Sequence, residues 1–352
     1  MNWIFNQNIL ILSLNNLLIG CDALMCTSVM YQNAKGNWFL ARTMDFSFEL
    51  DGRPVVIPRN FHFQSDANEV GFDTKLGFGG AGRNLNGYIL VDGVNEAGVG
   101  AATLYFDGLA KFADQPEPGK TNLAPHEVIN WILGNITSVA DLKEKINDVN
   151  IVAIANDLFK IIVPLHWIVG DKSGACVVLE QDKEGMHVMD DPAKVMTNSP
   201  DFQWHLKNLN NYVQLKPTSH SAKAYGEFKS DAYGLGSGAL GLPGDYTSVS
   251  RFVRAAFIRE NTNKADTTGG SINALSHILN SVEIPKGVKA DNEGGCDYSQ
   301  YRGYMSLDEG AYYMQPYDDQ TITRVALTPE VLNASEPTEY PLQKQQQFNS
   351  VN

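Results

Sequence analysis

Strand-like and helix-like segments follow one another in blocks along this chain of 352 residues, and this order constrains the fold more than any other feature. Strand signals fill the first third, helical spacing follows, and strands and helices each recur before a last group of strands. Because the blocks do not make a regular βαβ repeat, we expect an α+β fold in which helices cover the faces of sheets. No linker and no solenoid repeat divides the sequence, which favours one domain.

The individual elements are predicted from periodicity and from the turn residues between them. The strands are expected at 27–31, 38–45, 55–58, 88–91, 99–106, 165–169, 175–180, 185–189, 303–307, 311–315 and 321–326, with a turn at 92–97. The helices are expected at 126–133, from Ser138 onward, and around 202–213, 251–259 and 272–282. Ser138 and Asp141 form an S-x-x-D pattern that resembles a capping box.

Charge and cysteine spacing exclude several classes of function. The net charge of −13 argues against a nucleic-acid partner and against electrostatic binding to anionic lipid. No Cys or His pair has metal-ligand spacing, so we expect no metal. Residues 236–241 match G-x-G-x-x-G, but no strand precedes them and Pro243-Gly244 follows. This context excludes a dinucleotide site, and we expect no cofactor.

Cys26 is the candidate nucleophile. It follows Met25 and opens a predicted strand, and cleavage before it would leave a thiol and a free α-amine on one residue. An α-amine has an unperturbed pKa of about 7.7–8.0, so part of it is a base that can take the thiol proton near neutral pH. A lone cysteine is more often a buried small hydrophobic residue, as we expect for Cys176 in its apolar strand.

This hypothesis requires that residues 1–25 are absent from the mature enzyme. Residues 9–19 resemble a signal h-region and residues 18–21 a lipoprotein cleavage site ending at Cys21, yet residues 1–24 contain no Lys or Arg. A propeptide, a mis-assigned start and a lipoprotein anchored through Cys21 are the alternatives. We favour translation from Met25 and a cytoplasmic protein; export or lipid anchoring is the alternative if residues 1–21 act as a signal.

Four further polar residues lie in distinctive settings. A hairpin would return Arg42 and Asp45 beside Cys26, where Asp45 orients the amine and Arg42 favours the thiolate. The alternative is a structural ion pair at a strand end. Asn198 follows a strand and offers a donor for an oxyanion, or else caps a helix. Arg251 opens a predicted helix, where it supports the thiolate or a carboxylated substrate, or else lies at the surface.

These residues and their neighbours resemble the choloylglycine hydrolase family, which holds penicillin V acylases and conjugated bile salt hydrolases and belongs to the N-terminal nucleophile (Ntn) hydrolases. The matching stretches are 25–27, 41–46, 92–98, 196–200, 242–245 and 250–252. They extend over most of the chain, in order and at family spacing. The resemblance implies a four-layer αββα sandwich of two antiparallel sheets flanked by helices.

The resemblance also implies the site. The implied residues are Cys26, Arg42, Asp45, Tyr105, Asn198 and Arg251 for catalysis, and Met44, Phe46 and Tyr105 for substrate binding. Cys26 attacks with its own amine as base, and the Asn198 side chain and the Tyr105 backbone N–H hold the oxyanion. The implied assembly is a homotetramer, with a protruding loop near residues 214–240 as a candidate contact.

The predicted function is hydrolysis of a linear amide, with penicillin V acylase as the first choice. Bile salt hydrolases tend to carry Asn at the position of Tyr105, whereas penicillin V acylases tend to carry Tyr. Conjugated bile salt hydrolase and N-acyl-homoserine lactone acylase are the alternatives. We expect one catalytic domain at 26–345, a flexible tail at 346–352, a small-molecule amide as partner and no stable membrane association.

Overall fold

Two large antiparallel sheets lie at the centre of the protein. The structure, a computed structural model, describes residues 25–47, 49–156, 161–290 and 294–352. The hypotheses on residues 1–24, including an anchor at Cys21, lie outside this range. Across the described residues, none of the helices combines the length and the apolar character that crossing a bilayer requires.

The first sheet has six strands and the second has eight. In spatial order, the first contains β14 (Val195–Met196), β1 (Met25–Gln32), β2 (Trp38–Phe46), β17 (Tyr298–Ser306), β18 (Ala311–Pro316) and β19 (Thr323–Ala326). The second contains β13 (Gly185–Asp190), β12 (Cys176–Asp182), β11 (Leu165–Asp171), β8 (Val99–Tyr105), β7 (Tyr88–Asn95), β6 (Phe78–Asn84), β3 (Arg53–Ile57) and β20 (Thr338–Glu339). Three small ribbons pair β4 (His62–Phe63) with β5 (Phe72–Asp73), β9 (Thr121–Leu123) with β10 (Val149–Ile151), and β15 (Lys223–Tyr225) with β16 (Phe228–Ser230).

Helices cover the outer face of each sheet. The α-helices are α1 (Val128–Asn135), α2 (Val139–Lys145), α3 (Phe202–Asn208), α4 (Ser248–Asn261), α5 (Thr268–Asn280) and α6 (Pro329–Leu332). Helices α4 and α5 pack on the first sheet, and α1 and α2 pack on the second. The Ser138 hydroxyl accepts from the Asp141 N–H at 3.1 Å and caps α2, as the sequence pattern predicts.

Alternating side chains of the second sheet build two separate cores. In β11, Trp167 and Val169 pack with the helices α1 and α2, whereas Ile168 packs between the sheets. Val177 and Val178 of β12 divide in the same way. Successive residues of a strand point to opposite faces, so an apolar strand buried on both faces needs a sheet on one side and helices on the other. The result is the predicted four-layer αββα sandwich.

The structure differs from the sequence expectations at residues 78–98 and 202–212. The expected turn at 92–97 is wrong, because β7 continues to Asn95 and the turn is confined to residues 96–98, where Gly98 has a φ of +89°. The glycine-rich strand β6 was not predicted, since glycine disfavours strands. The expected helix at 202–213 ends at Asn208, and a 3₁₀ turn at Leu209–Tyr212 continues it.

Candidate active site

Cys26 lies near the start of β1, between the strands β2 and β14. The β1–β2 hairpin pairs Cys26 with Met44 and Ser28 with Arg42, and it pairs Met25 with Asp45. The predicted hairpin therefore forms and returns Arg42 and Asp45 to the neighbourhood of the thiol. Cys26 itself is buried, which holds its side chain in a fixed, desolvated position.

Arg42 is the direct polar partner of the Cys26 thiol. Its Nη2 lies 2.8 Å from Sγ, while its Nε donates to the Thr43 carbonyl at 2.9 Å. Its Nη1 donates to Asp92 Oδ2 at 3.1 Å. Burial raises the pKa of the Cys26 thiol, and the positive charge of Arg42 opposes that shift. The guanidinium thus favours a thiolate that burial alone would disfavour.

Asn198 is brought to Cys26 by the pairing of β14 with β1. Met196 lies opposite Ser28, and the same register continued by two residues places Asn198 opposite Cys26. Its Oδ1 accepts from the Cys26 N–H at 2.6 Å, and its Nδ2 donates to the Tyr105 carbonyl at 2.9 Å. Because Oδ1 faces two donors, Cys26 and Arg251, the orientation of the amide is fixed.

Arg251 and Asp45 complete the surroundings of Cys26. Arg251 lies in the first turn of α4, and its guanidinium donates to the Cys26 carbonyl at 2.6 Å and to Asn198 Oδ1 at 2.9 Å. Asp45 lies 3.9 Å from Arg251 and accepts from the Ser299 hydroxyl. Burial raises the pKa of Asp45 to about 6, although the positive charge of Arg251 acts to lower it. Burial also lowers the pKa of Arg251.

Asp92 is a member of this cluster that the sequence did not identify as a site residue. In the described part of the chain, Arg42, Asp45, Asp92 and Arg251 are the charged side chains with no exposed surface. Asp92 belongs to β7 of the second sheet and binds Arg42 of the first. The Tyr301 and Tyr312 hydroxyls also donate to its carboxylate, at 2.5 and 2.7 Å. The position of this acid inside the apolar run 88–94 could have identified it from the sequence as a buried ion-pair partner, because a buried carboxylate needs a buried cation.

Of the three residues expected to bind substrate, Met44 and Phe46 lie two positions apart in β2, and Tyr105 contacts Asn198. Met44 is buried, and its Sδ lies 3.9 Å from Cys26 Sγ. Phe46 ends β2 and is partly buried, and Tyr105 ends β8 with its side chain partly exposed. Tyr105 is also linked to the site through its carbonyl, which accepts from Asn198. The structure thus places the predicted catalytic residues and Met44 in contact with Cys26 or with its partners, and Phe46 two positions along β2 from Met44.

Elsewhere, Asp66, His126 and Glu127 are the described residues whose ligand atoms group closely enough for a metal ion, within 4.8 Å of one another. The Glu127 carboxylate, however, already accepts from the Ala124 N–H at 2.8 Å, the Asp66 N–H at 2.6 Å and the Ser65 hydroxyl at 2.9 Å. These bonds give Glu127 a structural role at the start of α1, and we assign no cofactor to the cluster.

Comparison with known proteins identifies the family. The profile described as "Linear amide C-N hydrolases, choloylglycine hydrolase family" matches residues 26–340. A bile salt hydrolase/transferase from Lactiplantibacillus plantarum is 36% identical over 331 residues, covering 93% of this chain and 100% of the relative. Its counterpart from Clostridium perfringens is 34% identical over 329 residues, with the same coverage.

Solved structures agree with the sequence comparison. A crystal structure of a conjugated bile acid hydrolase variant from Clostridium perfringens matches with a TM-score of 0.86 at 32% identity, covering 93% of this chain and 100% of that chain. A penicillin V acylase from Agrobacterium tumefaciens matches with a TM-score of 0.67 at 22% identity, covering 86% and 87%, and this likeness concerns the fold alone. The chain therefore belongs to the choloylglycine hydrolase family of linear amide C–N hydrolases.

Proposed function

We propose that the protein hydrolyses the amide bond of conjugated bile salts, with Cys26 as nucleophile. The observation that carries the proposal is the pair of contacts at Cys26, with Arg42 Nη2 2.8 Å from Sγ and Asn198 Oδ1 2.6 Å from the backbone nitrogen. The relatives named bile salt hydrolase, at 34–36% identity, favour this substrate. The first choice from the sequence, penicillin V acylase, rested on Tyr105 and has less support.

Maturation is the first step of the proposed mechanism. In the chain described here, Cys26 N is a peptide nitrogen that carries Met25. Removal of Met25, together with any residues translated before it, turns this nitrogen into a primary amine at the position from which Asn198 accepts. An amine at this position lies on the same residue as Sγ and takes the thiol proton directly or through one water.

The chemical steps follow from the positions of these groups. The Cys26 thiolate attacks the amide carbonyl, and the negative charge on oxygen is held by the Asn198 side-chain amide and the Tyr105 backbone N–H. The Cys26 ammonium then gives a proton to the leaving nitrogen, the C–N bond breaks and a thioester remains. Water, deprotonated by the amine, releases the acid and restores the thiol. In each step, Arg42, Asp45 and Arg251 stabilise the charges that form on the thiol and the amine of Cys26.

Residues beside the nucleophile supply the substrate contacts in this proposal. Met44 touches Sγ, and Phe46 and Tyr105 extend the surface towards solvent, as their partial exposure suggests. Their apolar character suits a steroid or another large acyl group, whose burial supplies binding free energy of about 25 cal/mol per Å² of apolar surface. We assign this chemistry to one catalytic domain at 26–345.

The proposed assembly is a homotetramer. Five large apolar side chains of the segment 214–240 are exposed: Tyr225 by 62%, Phe228 by 69%, Tyr233 by 107%, Leu235 by 99% and Leu240 by 79%. Exposed apolar surface of this extent marks sites that bind other proteins when it is contiguous, and we propose that this segment forms such a site. Light scattering after gel filtration of the double variant Tyr233→Ser with Leu235→Ser should give a smaller species than the wild type. An unchanged tetramer would exclude this segment as the contact.

Side-by-side rates on glycocholate and phenoxymethylpenicillin test the proposed substrate. We expect the higher kcat/KM on glycocholate, and Cys26→Ala should abolish both activities while Cys176→Ala, which changes a buried thiol outside the site, retains them. Intact-mass analysis of the same active sample should give a chain that begins at Cys26. Activity in a sample whose mass includes residues 1–25 would refute the N-terminal nucleophile, and a preference for phenoxymethylpenicillin would favour the acylase.

A further inference from the structure

His205 lies next to the loop that carries Asn198. It belongs to α3, is 2% exposed, and its Nε2 lies 2.8 Å from the carbonyl oxygen of Asn198. A carbonyl oxygen can only accept, so Nε2 carries the hydrogen and the neutral ring is the Nε2–H tautomer. His205 thus donates a buried hydrogen bond to the residue that contacts Cys26.

The residues on either side of Asn198 are tied to different parts of the protein. The Thr197 hydroxyl donates to the Ser248 carbonyl at 3.1 Å, the Ser248 hydroxyl donates to the Ser199 carbonyl, and the Ser199 hydroxyl donates to the Asp107 carbonyl at 2.7 Å. Among the described residues, His205 is the one whose side chain bonds the backbone of Asn198 itself. The orientation of the Asn198 peptide unit therefore depends on this bond.

The His205 ring is held in place by the helix that carries Arg251. It stacks on Phe252 with the ring centroids 4.7 Å apart and the planes 14° from parallel. Phe252 directly follows Arg251, whose guanidinium shares the Asn198 Oδ1 acceptor with the Cys26 N–H. The His205 ring thus contacts Asn198, which binds the Cys26 nitrogen, and it packs on Phe252, the neighbour of the Arg251 that binds the Cys26 carbonyl.

We propose that His205 is a positioning residue: by holding the Asn198 backbone, it keeps the side-chain amide between the Cys26 nitrogen and the Tyr105 carbonyl. The inference rests on the proposed function only in assigning amide hydrolysis to Cys26. A displacement of Asn198 would weaken the stabilisation of the oxyanion, which forms after the substrate has bound. The expected signature is a lower kcat with little change in KM.

Substitutions by Gln and Asn separate this role from simple packing. The terminal nitrogen of Gln approximates the position of Nε2, whereas that of Asn approximates the position of Nδ1. Both variants are neutral donors and both lose the stacking on Phe252. We expect His205→Gln to keep kcat within about fivefold of the wild type and His205→Asn to lower it by tenfold or more, because a hydrogen bond contributes roughly 0.5–1.5 kcal/mol net and its loss leaves the Asn198 carbonyl unpaired.

Melting temperatures and alkylation of Cys26 complete the test. If both variants lose kcat equally, in step with their melting temperatures, or if His205→Asn keeps full kcat with unchanged KM, His205 is structural only and the proposal is wrong. Iodoacetamide alkylation of Cys26, followed by peptide mass mapping, needs no substrate. Its pH midpoint should move by about half a unit or more in His205→Asn and stay in place in His205→Gln. This readout decides the role of His205 even if glycocholate is not cleaved, an outcome that would refute only the proposed function.

Discussion

Truncation of Asn198 to alanine is the sharpest test of how the site works. The side chain accepts from the Cys26 N–H at 2.6 Å and from Arg251 at 2.9 Å, and it donates to the Tyr105 carbonyl at 2.9 Å. An amide –NH₂ has two hydrogens, and the bond to Tyr105 uses one of them. The second is the donor that we assign to the oxyanion.

The expected loss has a chemical part and a structural part. Removal of one oxyanion donor typically costs about 2.7–4 kcal/mol of transition-state stabilisation, or roughly 10²–10³ in kcat. Truncation also removes the bonds that the Asn198 side chain makes with the Cys26 N–H, one Arg251 N–H and the Tyr105 carbonyl. Since a buried polar group without a partner costs about 1–3 kcal/mol, the free energy of unfolding should fall by several kcal/mol at most.

Asn198→Asp separates the two parts. The carboxylate keeps the acceptor for Cys26 and Arg251 but replaces the donor with an oxygen that faces the Tyr105 carbonyl. Initial rates of glycine release from glycocholate give kcat, and urea titration gives the free energy of unfolding. We expect both variants to lose at least a hundredfold in kcat, with KM changed little.

The control is Asn211→Ala, which removes an exposed amide that bonds Asn208 within the same region. It should keep wild-type kinetics. If Asn198→Ala remains folded at the assay temperature and retains kcat within fivefold of the wild type, Asn198 is not an oxyanion donor and the mechanism proposed here fails.

Three further outcomes are expected. Tyr105→Asn should raise the ratio of glycocholate to phenoxymethylpenicillin kcat/KM; an unchanged or lower ratio would remove position 105 as a determinant of the substrate. Asp92→Ala leaves the buried Arg42 without its ion pair and should lower the free energy of unfolding by about 3–5 kcal/mol in urea titrations. Asp190→Ala, which removes the exposed pair with Lys143, should lower it by less than about 1 kcal/mol. Equal losses in the two variants would contradict a stabilising role for the buried pair. Burial lowers the pKa of His205 to about 4, so its stabilising neutral form is complete above the unfolded pKa of about 6.5 and its contribution is lost as the pH falls towards 4. Between pH 7 and pH 5 the wild type should therefore lose about 2 kcal/mol more stability than His205→Gln, and parallel pH curves would contradict this.

Local sequence signals were sufficient for the β1–β2 hairpin. Residues 33–36 give a clear turn, and the residues on both sides favour strands, so Arg42 and Asp45 could be placed beside Cys26. The contacts of Asn198 and Arg251 with Cys26 span 172 and 225 residues of sequence. Their local settings made both residues candidates, but only the resemblance to a known family assigned them to the Cys26 site, because sheet order at that separation has no local signal.

Asp92 was missed because its immediate neighbours indicate the wrong structure. Asp-Gly is a strong turn signal, yet Asp92 and Gly93 lie inside β7. The cause is in the neighbouring strand: a Cβ at Gly80 would lie 1.9 Å from the Asp92 carbonyl oxygen. Glycines in β6 and β7 thus permit a close approach of the two backbones, and this pairing information is not present in either segment alone.

The Asp92–Arg42 pair joins the two sheets at the point where the nucleophile is held. Any fluctuation that separates the layers must also take from Arg42, the partner of Sγ, the carboxylate that balances its charge. Heat inactivation and loss of tertiary structure should consequently occur as a single event, without a loosened form that still turns over substrate. Variants of this protein that change the stability of the contact between the two sheets should therefore also change the reactivity of the Cys26 thiol. Engineering should select for the two quantities together.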